Sequence, residues 1–204
     1  MTTLRKLPLI CGLLPTVTVW LGMFVLDEAL VSVVLYHVGI IACMFWQNFE
    51  LKQVLRGFDA RLCLGVGGLC LLTWPLITVL WPIMVQPGVD LSALLVDWRI
   101  RGSFVGVFVV YSITLHPILE ESFWRGMMPD HWKSDILFAG FHLLVLYPLV
   151  HAIWLPVVFG VLTVASGIWR WITRRQQGLL VPILTHALAD LGVVLAVWML
   201  LRAS

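Results

Sequence analysis

The sequence predicts an all-α membrane protein, a bundle of about seven transmembrane helices plus a short interfacial helix, and three observations carry that prediction. Of the 204 residues, 61% are hydrophobic and 12% charged, whereas soluble domains run near 45–50% and about 25%. Mean hydropathy is +0.99. The apolar residues lie in long runs, close to the ~20 residues that cross ~30 Å of hydrocarbon, and lack the polar–apolar alternation of barrel strands. In lipid every backbone N–H and C=O needs an internal partner, so such runs are helices.

Dividing the chain at its charges and turn residues gives seven spans: Leu7 to Leu26, Ala29 to Trp46, Cys63 to Val85, Phe104 to Met128, Ser134 to Val150, Ile153 to Trp171 and Gly178 to Leu201. Arg5 and Lys6 before the first resemble a signal peptide, but Leu7 to Leu26 is long enough to span and lacks a small-residue cleavage site. It reads as a retained first helix. One membrane domain covers 1–204, with N-terminal helices and interfacial segments over 1–103 and a core of polar-motif helices over 104–201. Between Asp90 and Arg101, Leu91, Leu94, Leu95 and Trp98 recur at i, i+3, i+4 and i+7, the apolar face of an interfacial helix. Asp90 is its expected N-cap, and Asp97 and Arg101 fall at i, i+4 on the polar side. Phe49 to Leu62 reads as a second juxtamembrane segment.

The net charge of +2 comes from scattered basic residues, which excludes a nucleic-acid surface. Those residues mark topology instead. With the N-terminus inside, Arg5, Lys6, Lys52, Arg56, Arg61, Arg125, Lys133, Arg170, Arg174 and Arg175 fall on the cytoplasmic side, and Arg99, Arg101 and Arg202 outside. The expected location is a prokaryotic cytoplasmic membrane, N-terminus in and C-terminus out. Cys11, Cys43, Cys63 and Cys70 lack C-x-x-C pairing and read as small buried hydrophobes.

Ionisable groups inside spans cost at least ~2.5–3.5 kcal/mol each on insertion scales, so they face protein or a wet cavity. The fourth span ends His116-Pro117-Ile118-Leu119-Glu120-Glu121-Ser122-Phe123-Trp124-Arg125, the fifth holds Phe138 and His142, and the seventh holds His186 and Asp190. Adjacent Glu120 and Glu121 cannot share a helix face. Glu121 can meet Arg125 at i, i+4 as its counter-ion, which leaves Glu120 free for chemistry, with His116 one turn before it. His186 and Asp190 are one turn apart, as are Phe138 and His142. Glu120 lies eight residues before Met128, His142 eight after Ser134 and His186 eight after Gly178. At 1.5 Å per residue each is roughly 12 Å from the inner boundary, so one cavity can collect all three. His37, His131 and His151 carry no assignment.

The ordered set E-E-x-x-x-R (Glu120, Glu121, Arg125), F-x-x-x-H (Phe138, His142) and H-x-x-x-D/N (His186, Asp190), on separate apolar helices, resembles the CAAX-protease and bacteriocin-processing family, across about Ser112 to Leu191. The resemblance implies a glutamic intramembrane endopeptidase: Glu120 and His142 activate water, and His186 with Asp190 stabilises the oxyanion. Chemistry agrees, since a carboxylate withdrawn from water is a stronger base and a tetrahedral oxyanion needs a donor. The implied partners are a membrane-associated protein or peptide substrate and the bilayer, with no cofactor or metal. Asp190 stands where Asn also occurs in the family motif, and the chain is compact, which leaves CAAX-like cleavage, sorting-tail removal and other C-terminal processing open.

Two alternatives use the same residues. Glu120, His142, His186 and Asp190 are an acceptable ligand set for a metal-dependent protease, although the chain lacks H-E-x-x-H. A non-catalytic transporter, immunity protein or scaffold would use them as a proton relay or packing lock.

Overall fold

A computed structural model describes residues 6–203, and among these the secondary structure is helical with no strand. Arg5, counted above as a cytoplasmic charge, lies outside the described residues. Eight helical segments follow in order: α1 (Leu9–Val25), α2 (Ala29–Trp46), α3 (Ala60–Met84), α4 (Leu91–Asp97), α5 (Phe104–Met127), α6 (Trp132–Leu146), α7 (Ala152–Gln176) and α8 (Leu180–Ala203).

Five of them, α2, α3, α5, α7 and α8, are long and apolar enough to cross a membrane. The expectation of seven full spans is therefore not reproduced. α6 has 15 residues, which at 1.5 Å rise make a rod of about 22 Å, short of ~30 Å of hydrocarbon. Its helix stops at Leu146: Tyr147 is still in helical backbone and donates to the Leu143 carbonyl, but Pro148 has no N–H with which to continue the ladder. α1 is short and irregular, passing from a 3₁₀ turn through an α-helix to a π-helical end.

Lipid is the solvent this surface requires. Along α3 only 6% of the apolar window is buried, with Leu64, Leu69, Leu76, Val79 and Ile83 all exposed, a patch that water would not tolerate on a monomer. The chain is an integral membrane protein. Its core sits instead around α5, where Leu119, Phe123, Trp124, Met127 and Met128 pack with Tyr36, Ile40, Phe138, Phe141, Trp169 and Ile172. α8 lies along α3, α6 along α7 and α1 along α2. A Cβ at Gly192 would collide with the Thr73 hydroxyl, which donates to the Ala189 carbonyl at 3.1 Å, so glycine sets how closely α3 and α8 approach.

The two ends of the bundle are distinguishable by contacts. At one end Lys6 Nζ donates to the Gly126 carbonyl at 2.7 Å, Leu180 N–H to the Arg56 carbonyl at 2.9 Å, and Arg174 Nε to Asp130 Oδ2 at 2.5 Å. At the other, Arg99 pairs with Glu28, and Val85 bridges Val150. α4 starts where the sequence places it: the Asp90 carboxylate accepts from the amides of Ser92 at 2.8 Å and Ala93 at 3.1 Å. The Ser92 hydroxyl and those amides hold the Asp90 carboxyl below the ordinary carboxylate range. The helix ends at Asp97, with Arg99 in left-handed backbone (φ 62°), so Asp97 and Arg101 do not share a helical face. Phe49 to Leu62 forms a short 3₁₀ turn, Leu51–Gln53, before Asp59 caps α3.

Candidate active site

α5 is bent where the chemistry-bearing residues begin. Pro117 has no N–H for the carbonyl one turn back, and the helix breaks at Thr114 (φ −123°, ψ −77°) before resuming as Leu115–Glu121. It then widens into a π-helix over Ser122–Met127, a distortion frequent at functional sites. Every residue from Leu119 to Met128 is buried.

Glu120 is fully buried, and neither carboxylate oxygen accepts a hydrogen bond. His116 Nε2, one turn earlier, is 3.6 Å from Glu120 Oε1. Behind it His116 Nδ1 meets His37 Nε2 at 3.1 Å, while His37 Nδ1 donates to the Val33 carbonyl at 2.7 Å. That donation fixes the proton on His37 Nδ1 in the neutral ring, so His37 Nε2 accepts from His116. The Tyr36 hydroxyl accepts from Trp124 Nε1 at 3.1 Å and faces the Glu120 carboxylate.

Glu121 faces elsewhere and makes two charged contacts. Its Oε2 is 3.2 Å from Arg125 Nε, and its Oε1 is 2.7 Å from His186 Nδ1. Arg125 stacks over the Phe138 ring at 4.4 Å and donates from Nη2 to Ser166 Oγ at 3.0 Å. Ser166 donates to Asp135 Oδ1 at 2.6 Å, and Asp135 accepts from Arg170 Nε at 3.0 and 3.1 Å. A continuous buried chain thus runs from His186 through Glu121, Arg125, Ser166 and Asp135 to Arg170. Removing one member would strand a charge away from water.

His186 stacks on Trp169 (4.6 Å, 17° between planes), and its Nε2 is 3.7 Å from Asp190 Oδ1. Asp190 is half-buried, with Oδ2 lacking a hydrogen bond. His142 packs against Phe138 and Phe141 at 4.6 and 4.0 Å between ring centroids and donates from Nδ1 to the Phe138 carbonyl at 2.7 Å. Its Nε2 keeps a lone pair in the neutral ring.

The structure brings Glu120, His186 and Asp190 together on α5 and α8, and His142 on α6 packs on the Phe138 ring, whose centroid is 6.3 Å from that of His186. It adds residues that helical spacing did not assign. His37, Asp135, Ser166 and Arg170 are joined only across helices, and the one signal for them was polarity within or beside apolar runs. His116, Glu120 and His186 each offer a ligand atom within 4.8 Å of the others, a candidate cation triangle that differs from the sequence-derived set by including His116 and omitting His142 and Asp190. Tetrahedral zinc with bonds of ~2.0–2.1 Å sets its ligands about 3.3 Å apart, so this triangle would have to contract to hold it.

A buried carboxylate without hydrogen bonds, beside imidazoles and a charged network, has the chemistry to accept a proton from water and to stabilise a developing anion. No curated protein and no solved structure matches the chain. Over residues 102–192, from just before α5 through Asp190 in α8, the chain matches the family of Rce1-like type II CAAX prenyl endopeptidases.

Proposed function

We propose that the protein is an intramembrane glutamic endopeptidase in which Glu120 is the general base. The observation that carries this reading is the Glu120 carboxylate itself, wholly buried with both oxygens free of hydrogen bonds and His116 within 3.6 Å. A structural carboxylate at such depth would be paired, as Glu121 is.

In this reading a water held between Glu120 and His142 Nε2 gives its proton to Glu120, and its oxygen adds to the scissile carbonyl carbon. The carbonyl electrons move to oxygen, and the oxyanion takes a hydrogen bond from His186 Nε2. Two carboxylates flank that ring, Glu121 at Nδ1 and Asp190 near Nε2, so it can carry both protons and offer one N–H to the oxyanion. Collapse breaks the C–N bond, and the proton on Glu120 passes to the leaving amine. The substrate is a peptide segment of a membrane-associated protein, processed by CAAX-like cleavage, sorting-tail removal or another C-terminal cut. Under the positive-inside rule, the end carrying Lys6, Arg56 and Arg174 is cytoplasmic.

Comparative proteomics of protein N- and C-termini in cells carrying the wild type or Glu120→Gln tests this directly. Wild-type cells should contain cleaved termini that the variant lacks; identical termini would sink the reading. The triangle of His116, Glu120 and His186 favours one second reading, a metal-assisted hydrolysis. Chelation followed by restoration with zinc distinguishes the two.

A further inference from the structure

At the end of the bundle where α5 and the α7–α8 turn meet the Leu51–Gln53 turn lies a cavity of ≈ 360 Å³ whose lining does not include Glu120. Its lining includes six cations: Lys6, Lys52, Arg56, Arg125, Arg170 and Arg174. Four carboxylates oppose them. Glu50 pairs with Lys52 at 2.9 Å, Asp130 with Arg174 at 2.5 Å, Asp135 with Arg170 at 3.0 Å and Glu121 with Arg125 at 3.2 Å. Six against four leaves two positive charges, and Lys6 and Arg56 have no carboxylate within ion-pair distance among the described residues.

A second observation points to a ligand. Lys6 Nζ stands at the cavity beside the backbone carbonyls of Arg125 and Gly126, at 3.3 and 2.7 Å, so its charge meets only neutral acceptors, while the Arg125 guanidinium is wholly buried against Phe138 and Ser166. In a cavity with surplus positive charge the acceptor that completes such a cation is an anion. Beside the cavity the same turn exposes Leu51, Leu55 and Phe58 (66%, 75% and 61%), apolar surface that a free ion would not use. Helix ends also place the cavity at headgroup depth, where basic pockets meet anionic lipid.

We propose that this cavity binds a phosphate group, supplied by the headgroup of an anionic phospholipid whose chains lie along Leu51, Leu55 and Phe58. Lys6 and Arg56, the two lining cations without a carboxylate partner among the described residues, meet the phosphate. This site does not depend on the peptidase reading.

The test is retention of lipid by the full chain in detergent containing equal phosphatidylglycerol and phosphatidylcholine, read by native mass spectrometry. The wild type should retain phosphatidylglycerol in preference by about tenfold or more, as expected when several basic residues near the surface each contribute. Lys52→Glu with Arg56→Glu should abolish the preference; both side chains are exposed, and a thermal melt confirms the fold. Arg99→Glu, at the opposite end, should leave it intact. Equal retention of the two lipids by the wild type, or a preference that survives the double reversal, overturns the proposal. Displacement of phosphatidylglycerol by millimolar inorganic phosphate would overturn the lipid as occupant in favour of a free phosphate.

Discussion

Glu120→Gln should reduce cleavage without lowering stability, whereas Glu121→Gln should lower stability. Neither Glu120 oxygen has a hydrogen-bond partner, so the substitution breaks none; the melting temperature should stay level or rise, by at most about 1–3 kcal/mol of stability. Glu121 bonds His186 at 2.7 Å and pairs with Arg125 at 3.2 Å, both nearly or wholly buried. Breaking a buried ion pair costs about 3–5 kcal/mol, and the Gln carbonyl recovers part of that by accepting from one of the two, which leaves about 3 kcal/mol. For a chain of this length each kcal/mol is about 2–4 °C, so Glu121→Gln should melt about 6–12 °C below wild type.

Cleavage should fall by about 10²–10⁴ in Glu120→Gln, the usual contribution of a general base. The pair is assayed by thermal melts in detergent and by rates on a peptide spanning a cleavage site found by terminal proteomics. A Glu120→Gln protein that melts several degrees below wild type would make Glu120 a structural group. One that cleaves at the wild-type rate would remove it from the mechanism.

Asp135→Asn should destabilise by about 3 kcal/mol or more, because Arg170 keeps its charge at 5% exposure while losing its bidentate partner; the same melt reads it. Chelators should leave turnover unchanged under glutamic catalysis, and zinc-specific recovery after their use would replace it with the metal reading. Single cysteines at Asp130 and Pro148 should label from opposite membrane faces if the short α6 crosses, and from one face if it does not. Asp190→Asn should keep activity within about tenfold, since an amide can still accept from His186 and can itself donate, whereas Asp190→Leu should lose about a hundredfold or more. An Asn variant as inactive as Leu, yet folded, would mean that charge is required at this position.

Local spacing carried most of what the sequence revealed. Asp90 as the cap of α4, the apolar helices and the i, i+4 contacts of Glu121 with Arg125 and of His186 with Asp190 all depend on residues within one turn. Helix lengths were less legible, because α1 and α6 are apolar beyond the point where Pro148 or an irregular turn ends the hydrogen-bond ladder. The Asp135–Ser166–Arg170 chain and the His37–His116 contact were not legible at all. Each joins separate helices, and no periodicity along one helix specifies which neighbour it will meet.

Arg125 and Arg170 also change how the topology count should be weighed. By charge alone both mark the cytoplasmic side, yet each is nearly buried and held by a carboxylate, Glu121 or Asp135. A paired, buried cation has little free charge to offer the insertion machinery, so both should be struck from the tally. On the other side Arg99 is paired with Glu28 but remains exposed, and it stays. The tally falls from ten against three to eight against three, still favouring the same end. Lys6, Arg56 and Arg174 reinforce it, because contacts with Gly126, Leu180 and Asp130 put all three at one end of the folded bundle. The orientation proposed above then rests on charges whose position the fold fixes, while Arg125 is held inside by Glu121 and Ser166.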